Sequence, residues 1–190
     1  MSAMLELMAL AVALVVLAGA DVPSTVAGDA GVLGLTVAST EERWFRGDED
    51  IPFRVTLTNR TSDDLAACFE NSQFQKKLIT FKLFDDTGVE VTSRPSLHLD
   101  YGVTVEEDTI VLPPLGEHVG TLRLQREYLP RAQGCQTLRV VAVYHCPLDA
   151  EEVIGGRRLH VAVGLLTSPP VSVRVDSRSW LRRAFGGACR

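Results

Sequence analysis

The sequence has no apolar run long enough to cross a membrane. The longest, between Glu6 and Asp21, holds fourteen uncharged residues, whereas a bilayer core takes about 20. No Lys or Arg precedes that run and no Cys directly follows it; the second absence argues against a lipoprotein. There is no Cys-x-x-Cys pair, the short spacing that a zinc corner wants, and the four histidines, His98, His118, His145 and His160, sit in separate segments. Internal repeats and low-complexity stretches are missing as well. A net charge of −5 with both signs interspersed excludes a general nucleic-acid binder.

The fourteen-residue run fits the apolar region of an export signal, and Ala18-Gly19-Ala20 places small residues where a signal peptidase cuts. Residues 1–20 therefore read as a leader, with the mature chain starting at Asp21; the alternative is an uncleaved anchor. Residues 21–30 form a linker, residues 31–176 a single domain, and residues 177–190 a tail. The leader holds one acid and no base, so the mature charge is −4 in place of −5. A domain of this length buries a core without metal or several staples. The four cysteines are an even set, and in a secreted or periplasmic chain such sets pair.

Beyond the linker the hydrophobic period is two. Ile51, Phe53, Val55 and Leu57 alternate with Pro52, Arg54, Thr56 and Thr58, and Leu33, Leu35 and Val37 with Gly34 and Thr36. Ile79, Phe81 and Leu83 repeat the pattern, as do Leu122 and Leu124, then Leu138, Val140, Ala142 and Tyr144, and finally Val171, Val173 and Val175. Each is a half-buried strand by its pattern. Residues 103–105, 110–112 and 159–163 are weaker candidates. Turn chemistry separates them, at 46–48, 59–64, 85–88, 113–116 and Ser168-Pro169-Pro170. Strands with no helix between them predict an all-β, wholly antiparallel sandwich.

The stretches FRGDEDIPFRVTLTNRTSDDL, FKLFDDTGVEV, VLPPLGEHVGTLRL, LRVVAVY and GLLTSPPVSVRV resemble the immunoglobulin-like sandwiches of exported bacterial proteins. The likeness covers about residues 31–176 and implies about seven to nine strands. A fainter similarity is to the BsuPI-type proteinase-inhibitor sandwiches. One departure is Gly134-Cys135-Gln136, where such domains often carry Gly-x-Tyr. The resemblance also implies a disulfide pairing. In that topology the strand after Gly134 runs in the same direction as the strand at Ile51, so Cys68, in the loop leaving one, meets Cys146 at the end of the other. Cys135 precedes its strand and meets Cys189, in the tail beyond the last strand.

The sequence Tyr144-His145-Cys146-Pro147-Leu148-Asp149 raises a catalytic alternative, because a thiol beside an imidazole is the raw material of nucleophilic catalysis. Neighbours on a strand point to opposite faces, so the pair diverges if the strand extends that far. Acids gather at Glu41, Glu42, Asp48, Glu49 and Asp50 and at Asp85 and Asp86. Their spacing matches no calcium loop, and solvated turns account for them. Asn59-Arg60-Thr61 has the form of a glycosylation sequon. Trp44-Phe45 reads as a staple closing the sandwich edge or as an exposed anchor.

The tail differs from the rest. Arg178, Arg182, Arg183 and Arg190 occur without an acid, and Trp180, Leu181, Ala184 and Phe185 recur as one stripe of a short helix. It is either a flap over an open end of the sandwich or a contact surface built on Arg178, Trp180, Arg182, Arg183 and Phe185. No cofactor, metal or catalytic group is implied. The expectation is a non-catalytic exported interaction module that binds another protein or extracellular macromolecule, with no nucleic-acid partner and no stable membrane span after cleavage. The alternative is a β-sandwich proteinase inhibitor acting through a loop such as 148–158 or 94–108.

Overall fold

Alternation along a strand sends every second side chain to the same face. Ile51, Phe53, Val55 and Leu57 are accordingly all fully buried, while Arg54 between them is exposed. The computed structural model describes residues 31–69, 78–92, 109–130, 134–178 and 189. Its strands, in chain order, are β1 (Leu33–Ser39), β2 (Trp44–Arg46), β3 (Ile51–Asn59), β4 (Leu65–Cys68), β5 (Ile79–Phe84) and β6 (Thr109–Leu112). They continue with β7 (Glu117–Leu124), β8 (Cys135–Cys146), β9 (Glu151–Ile154), β10 (Arg157–Ala162), β11 (Gly164–Thr167) and β12 (Val171–Asp176). The described residues contain no α-helix, only a single 3-10 turn at Arg126–Tyr128. The expected helix of the tail falls outside them.

The strands form three sheets. In the first, β3 lies between β1 and β7, antiparallel to both. The second is centred on β8, which pairs with β5 along one edge and with β11 and β12 along the other. β11 and β12 are two halves of one interrupted strand. Pro169 and Pro170 have no N–H to give a ladder, and Ser168 fills the break, its backbone N donating to the Ala142 carbonyl at 2.9 Å while its hydroxyl accepts from Ala142 N at 2.9 Å. The third sheet runs β6-β4-β10-β9. One apolar cluster takes residues from all three, and the Phe53 and Phe81 rings, 5.0 Å apart, join the first two sheets through it.

The domain is thus all-β, with every strong strand candidate present. The expectation of wholly antiparallel sheets fails in two places: β2 runs parallel to β12, and β4 runs parallel to β10. The count also exceeds seven to nine, because β2, β4, β9 and β11 are only three or four residues long. So short a strand holds too few residues for a period to show. Leu65-Ala66-Ala67-Cys68 is buried at all four positions, and a strand covered on both faces reads as an apolar run without alternation. Residues 110–112 lie in β6 and 159–162 in β10, while the candidate at 103–105 falls outside the described residues.

A single polar side chain organises the end of β3. Asn59 is fully buried, and burying an amide is costly unless its donors and acceptors are satisfied. Its Nδ2 donates to the carbonyls of Asp63, Leu112 and Pro113 at 2.8, 3.1 and 2.9 Å. Its Oδ1 accepts from the backbone N and the hydroxyl of Thr61 at 2.9 and 2.7 Å. The sequon is therefore a structural Asn-x-Thr, with no room for a sugar on Nδ2 in the folded state. Asn59→Ala should destabilise the domain by about 3 kcal/mol, since several buried groups lose their partner together. Urea denaturation of the variant and parent measures it.

Candidate binding surfaces at the two disulfide ends

β8 runs from Cys135 to Cys146, and a covalent bond holds it at each end. Because the strand reaches Cys146, His145 and Cys146 point to opposite faces. The catalytic alternative loses its geometry there: Cys146 is buried and bonded to Cys68, with 5.5 Å between the two Cα atoms. Cys68 lies on β4 rather than in a loop, which corrects the sequence reading of that segment. Bridging two residues 78 apart in sequence removes unfolded-state entropy worth about 4 kcal/mol before native strain.

Tyr144 completes the junction. Its ring is fully buried on the core face of β8, and a buried phenol needs a partner for its hydroxyl. That hydroxyl accepts from Cys68 N at 3.0 Å and donates to the Ala162 carbonyl at 2.7 Å. One side chain thus links the three strands β8, β4 and β10 beside the disulfide. The sequence places Tyr144 on the core face of its strand; the strands that satisfy its hydroxyl do not show there, because β4 has no alternation.

The junction carries a β-hairpin. β9 and β10 pair antiparallel around Gly155 and Gly156, with Ile154 opposite Arg157. Both glycines have positive φ, 58° and 78°, the backbone of a two-residue turn that side chains at both positions would oppose. Val161 N donates to the Ala150 carbonyl at 2.9 Å, and Arg157 forms an ion pair with Asp64 at 2.6 Å, fixing the hairpin to the turn after β3. Val153 is 60% exposed, and the exposed Arg158 and Glu151 approach to 3.7 Å across the pair. Part of the loop proposed for an inhibitor, 148–158, is therefore strand whose backbone is engaged in the hairpin. The other, 94–108, has 109 as its nearest described successor and falls outside the description.

The opposite end of β8 is closed by Cys135–Cys189, with Cα atoms 5.8 Å apart. Asp176 faces Cys135 in register. Arg178 folds back on it: Nε donates to Oδ1 and Nη2 to Oδ2, both at 2.8 Å, and the Arg178 backbone N also donates to Oδ1 at 3.1 Å. With side chains only 15% and 12% exposed, this fork secures the chain where it leaves β12. Asp176 raises the pKa of Arg178 further above its ordinary value. Of the tail residues named as a contact surface, Arg178 is placed here, and Trp180, Arg182, Arg183 and Phe185 fall outside the described residues. The potential ligand atoms of Cys135, Asp176 and Cys189 lie within 4.8 Å of one another, yet both sulfurs belong to the disulfide, so no thiolate is offered to a metal.

The acidic turns are occupied by their own neighbours. Arg43 bonds Glu41 and also Glu49, at 2.7 Å, and stacks 4.3 Å above the Phe45 ring. Glu49 accepts in addition from Arg46 N, and Asp50 accepts from Arg126 N at 2.9 Å. Asp85 accepts from the Thr87 hydroxyl at 2.7 Å and from Val89 N at 2.9 Å. The described histidines lie on three different sheets: His118 on β7, edge-on to Phe69 at 4.5 Å, His145 on β8 and His160 on β10. Among the described residues the arrangement brings together no base, nucleophile and orienting group.

Searched against family models and against curated proteins, the sequence matches none. The fold and its two bridges define the class: an all-β domain bonded by two disulfides.

The Arg43 guanidinium holds the Glu49 carboxyl below its ordinary value of 4.5. A depressed folded-state value stabilises the native state above the unfolded value, and this stabilisation is lost as the pH falls through the lower one. The melting temperature should therefore drop below pH 4.5, with Glu49 contributing at most about 1 kcal/mol because the pair is partly exposed. In Glu49→Gln that contribution is already absent at neutral pH, and the acid limb of the melting curve should be shallower.

Proposed function

We propose that this chain is a non-catalytic, exported interaction module with an immunoglobulin-like sandwich, and that it binds another protein or extracellular macromolecule without turning it over. The strand order supports the sandwich reading. Of the three sheets, β1, β3 and β7 make one and β5, β8 and β12 belong to a second, with β2 pairing in parallel with the last strand. Export is supported by the two disulfides, which suit an oxidising compartment, and by the leader-like first twenty residues. No helix among the described residues is long and apolar enough to cross a membrane.

One observation carries the functional reading. The β9–β10 hairpin is held at its base by Cys68–Cys146, by the Tyr144 hydroxyl and by Arg157–Asp64, and it presents Val153, Glu151 and Arg158 outward. A rigid scaffold presenting an exposed element is how such domains ordinarily carry recognition. The absence of a converging base and nucleophile among the described residues supports binding over turnover. For the inhibitor alternative, 148–158 is a paired β9–β10 hairpin rather than an irregular loop, and only the outer edge of β9 is left for a protease cleft.

The test is capture of a partner from the native extracellular fraction with the full chain as bait. Val153→Asp, at an exposed position, should reduce capture at least tenfold while the melting temperature stays unchanged. Capture that survives Val153→Asp but fails when residues 177–190 are deleted together with Cys135→Ser would move the contact to the tail. Stoichiometric inhibition of a protease panel would overturn the reading in favour of an inhibitor, and turnover abolished by one His or Asp substitution would overturn the non-catalytic claim.

A further inference from the structure

The outer face of the β8 sheet carries an arrangement of charge that only the strand register makes visible. Lys82, Arg139, Arg174 and Arg46 each lie on a different strand, β5, β8, β12 and β2. Each sits next to core residues in sequence, Phe81 and Leu83, Leu138 and Val140, Val173 and Val175, and Phe45. Alternation therefore sends all four to the face away from the core. Lys82 is paired with Val141, two residues beyond Arg139 on β8, and Arg139 is paired with Ser172, two residues before Arg174 on β12. Arg174 is paired with Trp44, two residues before Arg46 on β2. Each cation is thus one strand over and two residues along from the last. Diagonal neighbours of this kind are about 7–8 Å apart, so the four make a straight line of roughly 20–25 Å.

The two ends of the line have exposed acidic neighbours, Glu90 at 3.3 Å from Lys82 and Asp48 at 3.4 Å from Arg46. Pairs this exposed are worth little and exchange readily for another anion. In the middle, Arg139 Nε is buried with no hydrogen-bond partner among the described residues, and Arg174 lies over the Trp44 ring at 5.6 Å. Asp176, the carboxylate next to Arg46 in register, is held by Arg178. Aromatic rings flank the line, Phe84 in the Arg139 row and Trp44 in the Arg174 row.

We propose that Lys82, Arg139, Arg174 and Arg46 form a single-file cationic track that binds one chain of a linear acidic polysaccharide. A line one side chain wide fits one extended polymer rather than a membrane surface, which rewards a broad basic patch. The chain as a whole carries −5, so attraction is confined to the track, and a polymer with charges spaced along it is repelled less by the rest of the surface than the dense phosphate of duplex nucleic acid. The track lies toward the Cys135 end of β8, apart from the hairpin at the Cys146 end, and goes beyond the reading proposed for that hairpin.

The test titrates the full chain against fluorescent dextran sulfate and fluorescent polygalacturonate at several salt concentrations, with a thymidine oligonucleotide alongside. At least one polysaccharide should bind. Arg139→Gln with Arg174→Gln should weaken that binding at least tenfold and lower the slope of log affinity against log salt by about two. Arg174→Gln alone, at an exposed position, should give a partial loss, and it serves if the double variant fails to fold. Arg54→Gln with Arg123→Gln, exposed cations on the outer face of the β3 sheet, should change nothing. Preference between the two polymers assigns sulfate or carboxylate as the charge recognised. Binding of neither polysaccharide, an equal loss in the Arg54/Arg123 variant, or tighter binding of the oligonucleotide would overturn the proposal. Loss of the track with protein capture intact would leave the hairpin reading standing.

Discussion

Two covalent bonds clamp β8 at its two ends, and most of the remaining structure is positioned by what that strand touches. Along its length it carries the second sheet on both edges, and its even-numbered side chains from Leu138 to Cys146 form part of the shared core. At its Cys146 end the disulfide and the Tyr144 hydroxyl bring in β4 and β10, which otherwise meet as a short parallel pair. A short parallel ladder is a weak element by itself. The crosslink beside it and the buried phenol give it a fixed place, and the hairpin inherits that place.

Polar side chains do the same work at other strand exits and beside the second crosslink. Asn59 ties the exit of β3 to the β6–β7 turn and to the loop ahead of β4. Arg178 closes the exit of β12 on Asp176, and Arg43 gathers the acids around β2. At that turn Gly47 N donates to the Asp176 carbonyl at 2.9 Å, and a side chain on Gly47 would collide with Ser177. Strand exits of this domain are held by polar side chains, bonded to backbone at Asn59 and to carboxylates at Arg178 and Arg43, and the surface left over is where charge can be arranged for other purposes.

How much of this the sequence discloses depends on period. Long half-buried strands such as β3, β8 and β12 declare themselves through alternation, because one face meets the core and the other meets water. β4 does not, since both its faces are covered, and β2, β9 and β11 are too short to show a period. Asn59 reads in the sequence as a turn residue or a sugar acceptor; its bonds to Thr61 and Asp63 are local, but its burial under the carbonyls of Leu112 and Pro113 comes from the end of β6, 53 residues along the chain. The disulfide partners followed from strand direction within the immunoglobulin-like topology, and the structure joins the same pairs. The diagonal of cations is invisible to any reading along the chain, since its members come from four strands and meet only through register.

The Cys68–Cys146 bridge and the Tyr144 hydroxyl fix the hairpin pole on β8. Backbone hydrogen exchange, followed by mass spectrometry in the parent chain and in Cys68→Ala with Cys146→Ala, tests it most directly. In the variant, amides of β4, β9 and β10 should lose protection while those of β1, β3 and β7 keep theirs. Unchanged protection across the small sheet, or an equal loss throughout the domain, would contradict it.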